Sequence, residues 1–364
     1  MGKGVATMRV LMQGRSDLLT RHGGDTTQAV KTAEHLRELG LAVDFSTDVA
    51  PDLRAFDLVH VFNSTGISHV RALLDNAHRQ RKPAVLSTIY WNQDELLNAR
   101  LRYGKGRSLH RLLGQRVGGL MRRAIWHLQP EWRELRALVH AADALLPNSR
   151  AEQDLLYRDF GLPRSARIDV VVNGVDTALF QEASPEPIER RFGVRGFILC
   201  VGRIEIRKNQ LALLHVLRPG DPPAVFIGAP NGLEPAYVAR VNALAREKGV
   251  LVVDPIPHAE IASAYAAARV HILPSWYETP GLASLEAGLL GCPIVTTDRG
   301  CATEYFGEMA LYCNPADPSS IRAALDKGLA APRNSALARH IRDHFSWDVV
   351  AQQTLKVYRD ACSH

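Results

Sequence analysis

The sequence predicts two doubly wound α/β domains, each a parallel sheet covered by helices. One observation is the length of 364 residues, more than one hydrophobic core usually supports. A second is the alternation of short apolar runs with segments of helical period along the chain. The third is a polar break at 180–187 whose two prolines, Pro185 and Pro187, separate two similar strand–helix series.

The first series places strands at 8–13, 42–45, 58–62, 84–88, 144–147 and 169–172. The second places them at 197–201, 224–228, 250–253, 270–273, 293–296 and 311–313. Residues 1–182 then form an N-terminal domain and 190–345 a C-terminal domain. A ligand cleft is expected where the carboxyl ends of the two sheets face each other. A last helix follows Ser346, a residue suited to N-capping.

Composition narrows the class. With 46% apolar and 23% charged residues the chain is ordinary globular protein. A formal charge of +6 favours anionic partners such as phosphates, nucleotide diphosphates or an anionic lipid surface. The absence of zinc-ligand spacing and of any nucleic-acid module argues against a nucleic-acid partner. Five scattered cysteines without a CxxC pair argue against a disulfide framework and fit a reducing cytoplasm. No apolar stretch resembles a signal peptide or approaches the roughly 20 residues needed to span a bilayer. The expected location is cytoplasmic, with attachment to the inner face of the plasma membrane as an extension.

That extension comes from residues 96–130, which carry Arg100, Arg102, Lys105, Arg107, Arg111, Arg116, Arg122 and Arg123 and neither Asp nor Glu. Apolar residues interleave at near-helical spacing, as in an element lying on an anionic membrane surface. A solvated basic helix is the alternative. Gly114, Gly118 and Gly119 disfavour a long rigid helix.

Two segments carry the chemistry. Gly202-Arg203-Ile204-Glu205-Ile206-Arg207-Lys208-Asn209 sets cations directly after a strand and before a helix, where the helix N-terminus adds positive potential for a diphosphate. Pro274-Ser275-Trp276-Tyr277-Glu278-Thr279-Pro280-Gly281-Leu282-Ala283-Ser284-Leu285-Glu286 sets two glutamates across a Pro-Gly turn that opens a helix. Gly281 and Leu282 can offer free backbone N–H groups to an anion. Carboxylates accept strong bonds from sugar hydroxyls, and Arg with Lys stabilises charge on a departing phosphate. The pair of segments reads as a site for a sugar attached to a diphosphate. Taken singly, an idle surface cluster and helix-dipole partners explain them equally well.

At these residues the chain resembles the family-4 retaining glycosyltransferases of the GT-B fold. The likeness extends to Gly23-Gly24, Pro147-Asn148-Ser149, Val172-Asn173-Gly174-Val175-Asp176 and Gly291-Cys292-Pro293. It implies two Rossmann-like domains facing across a cleft, 1–182 on the acceptor side and 190–345 as the nucleotide-sugar donor domain, with the closing helix, 346–364, crossing back to the first domain. Arg203 and Lys208 would hold the donor diphosphate, Glu278 the donor sugar and Glu286 the ribose. Gly24 would let backbone approach the phosphates or the acceptor. The family is similar in needing no metal and no cofactor and in retaining anomeric configuration. The partners implied are a nucleotide-sugar donor and a glycan or lipid-linked acceptor, as in cell-surface polysaccharide or glycolipid synthesis.

The chain departs from the family at Leu86-Ser87-Thr88-Ile89-Tyr90-Trp91-Asn92, where many relatives carry His-Asp. Tyr90 or Trp91 could stack on a sugar face and Asn92 could bond to it. His60 either lines the cleft or is a buried structural histidine. Two alternatives share the architecture: a nucleotide-sugar epimerase or glycogen-synthase-like enzyme, and a non-catalytic sugar-nucleotide or membrane-binding protein. A dehydrogenase is disfavoured because no G-x-G-x-x-G follows the first strand.

Overall fold

The computed structural model describes residues 7–20, 23–64, 66–91, 95, 99–100, 129–180 and 183–363. They belong to two compact units. One comprises the chain up to Trp91, a stretch ending at Gly174 and the tail from Phe345; the other includes Val175–His344.

The first unit is built on β1 (Arg9–Gly14), β2 (Ala42–Phe45), β3 (Leu58–Phe62), β4 (Ala84–Ser87) and β5 (Ala144–Leu146). All pair in parallel in the order β2-β1-β3-β4-β5. Helices α1 (Gly24–Glu38), α2 (Ile67–Arg79), α3 (Pro130–Ala141) and α4 (Arg150–Phe160) cover it. Alternation along β1 assigns the faces: Val10 and Met12 pack with Ala29, Ala33 and Leu36 of α1. Leu11 packs with Leu73 and Leu74 of α2 and Leu138 of α3.

Residues 169–172, read as a strand from sequence, make only an irregular edge. Leu145 donates to the Arg167 carbonyl at 2.9 Å and accepts from the Asp169 amide at 3.0 Å, giving one isolated bridge, Leu145 to Ile168. The ladder cannot continue reciprocally because its next residue, Pro147, has no N–H and only accepts, from Val171 at 2.9 Å.

The second unit carries β6 (Ile198–Val201), β7 (Ala224–Ile227), β8 (Leu251–Val253), β9 (Val270–Leu273), β10 (Ile294–Thr297) and β11 (Leu311–Cys313), parallel in the order β11-β10-β9-β6-β7-β8. Its helices are α5 (Glu186–Phe192), α6 (Gln210–Val216), α7 (Pro235–Glu247), α8 (His258–Ala267), α9 (Leu282–Leu289), α10 (Ala302–Phe306), α11 (Pro318–Ala330) and α12 (Ser335–His344). One core joins Ile198, Phe226 and Ile272 of the sheet to Leu213 of α6, Val241 of α7 and Leu325 of α11.

The chain ends with α13 (Trp347–Cys362), which belongs to the first unit and packs on α1. Ser346 caps it, its Oγ accepting from the Val349 amide at 3.4 Å. Gly174 lies against its start: a Cβ there would fall 2.7 Å from the Trp347 ring, so only glycine lets the two backbones meet.

Two residues expected to touch sugar lie inside this unit instead. His60 is 1% exposed, and both ring nitrogens are taken, Nδ1 by the Tyr358 hydroxyl at 2.6 Å and Nε2 by Ser87 Oγ at 2.9 Å. It bonds the middle of the sheet to α13 and presents nothing to an acceptor. Tyr90 is buried against Phe160 with its hydroxyl on Asp159 Oδ2 at 3.0 Å, which leaves no ring face for stacking.

Burial pushes His60 down to about 3, and pushes the Glu152 carboxyl of α4 up to about 7 despite hydrogen bonds from Thr88, Asn148 and Tyr90. These shifts oppose each other in acid. An unfolded histidine gains its proton near about 6.5 while folded His60 refuses it, so stability is lost as pH falls from there toward about 3. Folded Glu152 gains its proton earlier than an unfolded glutamate, so it adds stability as pH falls from about 7 to about 4.5. The first unit should therefore hold its denaturant midpoint between about pH 6.5 and 4.5 and lose it below. In Glu152→Gln the loss should begin near pH 6.5, as followed by tryptophan fluorescence across a pH series.

Candidate active site

Strands β6 and β9 are neighbours in the sheet, yet the chain leaves them in opposite directions, toward β7 and toward β10. Open parallel sheets bind ligands at the carboxyl ends of such a pair. Both chemical segments begin there: 202–209 follows β6 and contains a 3₁₀ turn, Ile206–Lys208, and 274–281 follows β9. Asn209 ties them together. Fully buried at φ 61°, in the left-handed region that asparagine tolerates better than most residues, it donates from Nδ2 to the carbonyls of Pro274 and Pro315, both at 3.0 Å.

The segments meet side chain to side chain. Lys208 Nζ donates to Glu278 Oε1 at 2.5 Å, and Arg207 Nη1 lies 3.8 Å from the same oxygen. Arg207 Nε donates to Glu205 Oε1 at 3.0 Å, and Glu205 Oε2 lies 3.9 Å from Arg203 Nη1. Arg203, Glu205, Arg207, Lys208 and Glu278 thus form one alternating network. Glu278 and Lys208 are 2% and 9% exposed, whereas 39% of the Arg203 side chain is open.

Glycines make the room. Gly300, at φ 93°, pairs with Glu278, and a Cβ there would fall 2.1 Å from the Glu278 carbonyl oxygen. Gly281, at φ 88°, caps α9, and a Cβ there would stand 3.1 Å from Glu278 Oε2. The first bonds of α9 run from the Ser284 and Leu285 amides back to the Gly281 carbonyl. The amides of Leu282 and Ala283 therefore stand ahead of the helix's own ladder.

Burial alone would raise the Glu278 carboxyl, but the Lys208 ammonium and Arg207 guanidinium outweigh it and hold the group below the usual carboxylate range. Burial lowers Lys208, opposed by Glu278. Glu278 is an ionised acceptor in a low-dielectric setting, and it faces cations fixed before any ligand arrives.

Glu286, assigned to the ribose by resemblance, lies outside this network. A little over one turn into α9, its Oε1 is 2.8 Å from His258 Nε2 and its Oε2 accepts from the Tyr265 hydroxyl at 3.1 Å. Gly24 is the exposed first residue of α1. Trp91 is partly exposed in the first unit. Asn92, and residues 96–98 and 101–128 of the basic segment, lie outside the described residues.

Sequence reasoning missed several groups. Glu205 and Arg207 sit inside the motif, but spacing does not reveal which side chains turn inward. His258 and Tyr265, which hold Glu286, carry no motif. At the β1–β3 junction, the switch point of the first sheet, Arg15 Nε donates to Asp25 Oδ2 at 2.8 Å and Asn63 Nδ2 donates to the same oxygen at 3.1 Å. The Asp25 carboxyl, which burial would raise, is held low by these two partners. Only the adjoining Gly23-Gly24 hinted at that cluster.

The buried pair makes a stability prediction. Lys208→Met should destabilise the second unit by about 3–5 kcal/mol, because it leaves a buried carboxylate short of its nearest cation. Lys208→Met combined with Glu278→Gln should recover most of that loss, as read from denaturant midpoints of the single and double variants.

Comparison with known proteins agrees with the resemblance and with the fold. Residues 195–330 match the family model described as glycosyl transferases group 1. The glycogen synthase of Mycobacterium tuberculosis is 31% identical over 255 residues, covering 66% of this chain and 58% of that protein. A D-inositol 3-phosphate glycosyltransferase of Acidothermus cellulolyticus is 33% identical over 247 residues, covering 62% and 54%. The chain thus spans a little over half the length of these curated relatives. Among solved structures, sucrose-phosphate synthase from Thermosynechococcus elongatus superposes with a TM-score of 0.75 at 17% identity, over 98% of this chain and 99% of that one. The Anabaena protein HepE in complex with UDP-glucose does so with a TM-score of 0.71 at 16% identity, over 97% and 100%. The fold is that of the GT-B glycosyltransferases, two Rossmann-like domains, and over residues 195–330 the chain is similar to the group 1 glycosyl transferases.

Proposed function

We propose that the chain is a retaining glycosyltransferase, moving a sugar from a nucleoside diphosphate to a hydroxyl of a glycan or lipid-linked glycan. The observation that carries this is the ionised, buried Glu278 locked to Lys208 at the β6–β9 junction, with Arg203 open beside it. An ammonium has three N–H donors. Lys208 can keep one on Glu278 and turn others to a phosphate, so donor binding does not require the pair to break. Arg203 supplies a planar fork for the outer phosphate oxygens.

In this reading the bond between the anomeric carbon and the diphosphate oxygen breaks as the acceptor oxygen bonds to the same face. The acceptor's proton leaves toward the departing phosphate. Charge growing on that phosphate meets Arg203 and Lys208, already in place, and Glu278 accepts from hydroxyls of the transferred sugar. Glu286 would take the ribose by sharing lone pairs that His258 and Tyr265 do not saturate. The chemistry asks for no metal, so excess chelator should leave turnover unchanged.

The relatives' names support sugar transfer, and the solved complex of HepE with UDP-glucose supports a nucleotide-sugar donor. No helix among the described residues is long and apolar enough to cross a membrane. A cytoplasmic enzyme that meets an anionic surface through 96–130 is the setting we favour for a lipid-linked acceptor.

A thermal-shift panel of UDP-, GDP-, ADP- and TDP-glucose tests the reading, since a ligand bound only by the native state raises the melting temperature. One nucleotide should dominate. Arg203→Ala should weaken that donor by about tenfold or more, the loss expected for a charge-assisted contact of about 1.5–3 kcal/mol, with an unchanged melting temperature in the absence of donor. Labelled sugar appearing on an acceptor supports transfer, and free isomerised sugar would point to an epimerase. Equal donor affinity in Arg203→Ala would remove this residue from the site.

A further inference from the structure

We propose that Glu152 is a positioning residue for the transfer: a buried strut that fixes the strained turn 88–90 after β4, and with it the wall that an acceptor sugar meets. This rests on the glycosyltransferase reading above. Glu152 is fully buried in the first turn of α4. Its Oε1 takes the Thr88 hydroxyl and, at 2.6 Å, the Tyr90 amide, while its Oε2 takes the Asn148 amide at 2.8 Å. Asn148 Oδ1 in turn accepts from Gln28 Nε2 of α1 at 2.9 Å. A single carboxylate therefore joins the loops after β4 and β5 to α1, at the end of the sheet where parallel sheets bind ligands.

Between the two bonded residues, Ile89 stands at φ 45°, a left-handed conformation that a β-branched residue adopts only under constraint. The constraint is visible: one oxygen holds the residues on both sides of it. Tyr90 is thereby anchored inward, and Trp91, the next residue, stays partly exposed. Burying a carboxylate is costly when stability is the sole gain. The strut instead spends that cost on one loop geometry, in the segment where this chain departs from its family's pattern.

The experiment measures amide exchange and kinetics in Glu152→Gln, Thr88→Val and Thr88→Ser. Glutamine keeps the shape but turns an amide donor toward one of the three donors. In folded Glu152→Gln, exchange across 88–91 and at Asn148 should quicken by about tenfold or more. With UDP-glucose and octyl β-D-glucopyranoside as probes, the KM for the glucoside should rise about tenfold while that for UDP-glucose holds. Thr88→Val should move both readouts the same way and Thr88→Ser should restore them. Unchanged exchange at 88–91 in folded Glu152→Gln would overturn the strut, and an equal rise in both KM values would overturn its acceptor-side role. Lack of transfer by the unaltered chain would count against the glycosyltransferase reading alone, and amide exchange would still decide the strut.

Discussion

The ion pair between Lys208 and Glu278 organises the second unit. A lone charge of either sign at that depth would be prohibitive, so each residue requires the other, and each fixes the loop that carries it. The loop after β6 and the loop after β9 cannot move independently while Nζ stands 2.5 Å from Oε1. The backbone follows the same logic: Trp276 donates to the Arg207 carbonyl at 2.8 Å, Asn209 reaches the Pro274 carbonyl, and Cys301 donates to that of Glu278 at 3.2 Å. The loops after β6, β9 and β10 are thereby held by bonds to backbone carbonyls around the ion pair.

Deeper in the first unit, neutral and near-neutral groups do the joining. His60 cannot carry charge where it lies, so its two nitrogens are satisfied by Tyr358 and Ser87, which joins α13 to β3 and β4. That bond helps hold the last helix in the first unit although it follows the second in sequence. Gly174 and Trp347 support the junction by shape alone.

Much of the fold was legible because parallel strands covered on both faces read as apolar runs, and all eleven strands of the two sheets fall at the expected runs to within a residue or two. The run at 169–172 misled because its apolar pattern is real but its partner strand reaches Pro147, a constraint on the neighbour that is invisible locally. The meeting of 203–208 with 278 was legible because both segments follow apolar runs that become neighbouring parallel strands, so their cations and acid emerge at the same end of the sheet. What stayed hidden was direction. His60 and Tyr90 carry sugar-binding chemistry yet point into packing, and only three-dimensional neighbours such as Tyr358, 298 positions away, decide that. Nothing local marks Glu152: its amide bonds to the Ser149 cap, as any residue at that position can, while the partners of its carboxyl, Thr88 and Tyr90, are distant in sequence.

The two cations proposed to meet the donor, Lys208 and Arg203, are prepared differently, and under that proposal the difference divides their work. Lys208 is desolvated and aimed before binding, so its field acts at low dielectric and needs no reorganisation when charge develops; such a group is best used in the transition state. Arg203 is more than a third open and meets Glu205 at 3.9 Å, so it is free to reach outward and must order itself on arrival of a phosphate. Its contribution then falls on ground-state affinity. Under the proposed function, a site with its rigid charge deep and its mobile charge at the rim would capture a diphosphate first and stabilise its departure second, and Glu278, buried beneath both, would keep the transferred sugar next to the deeper one.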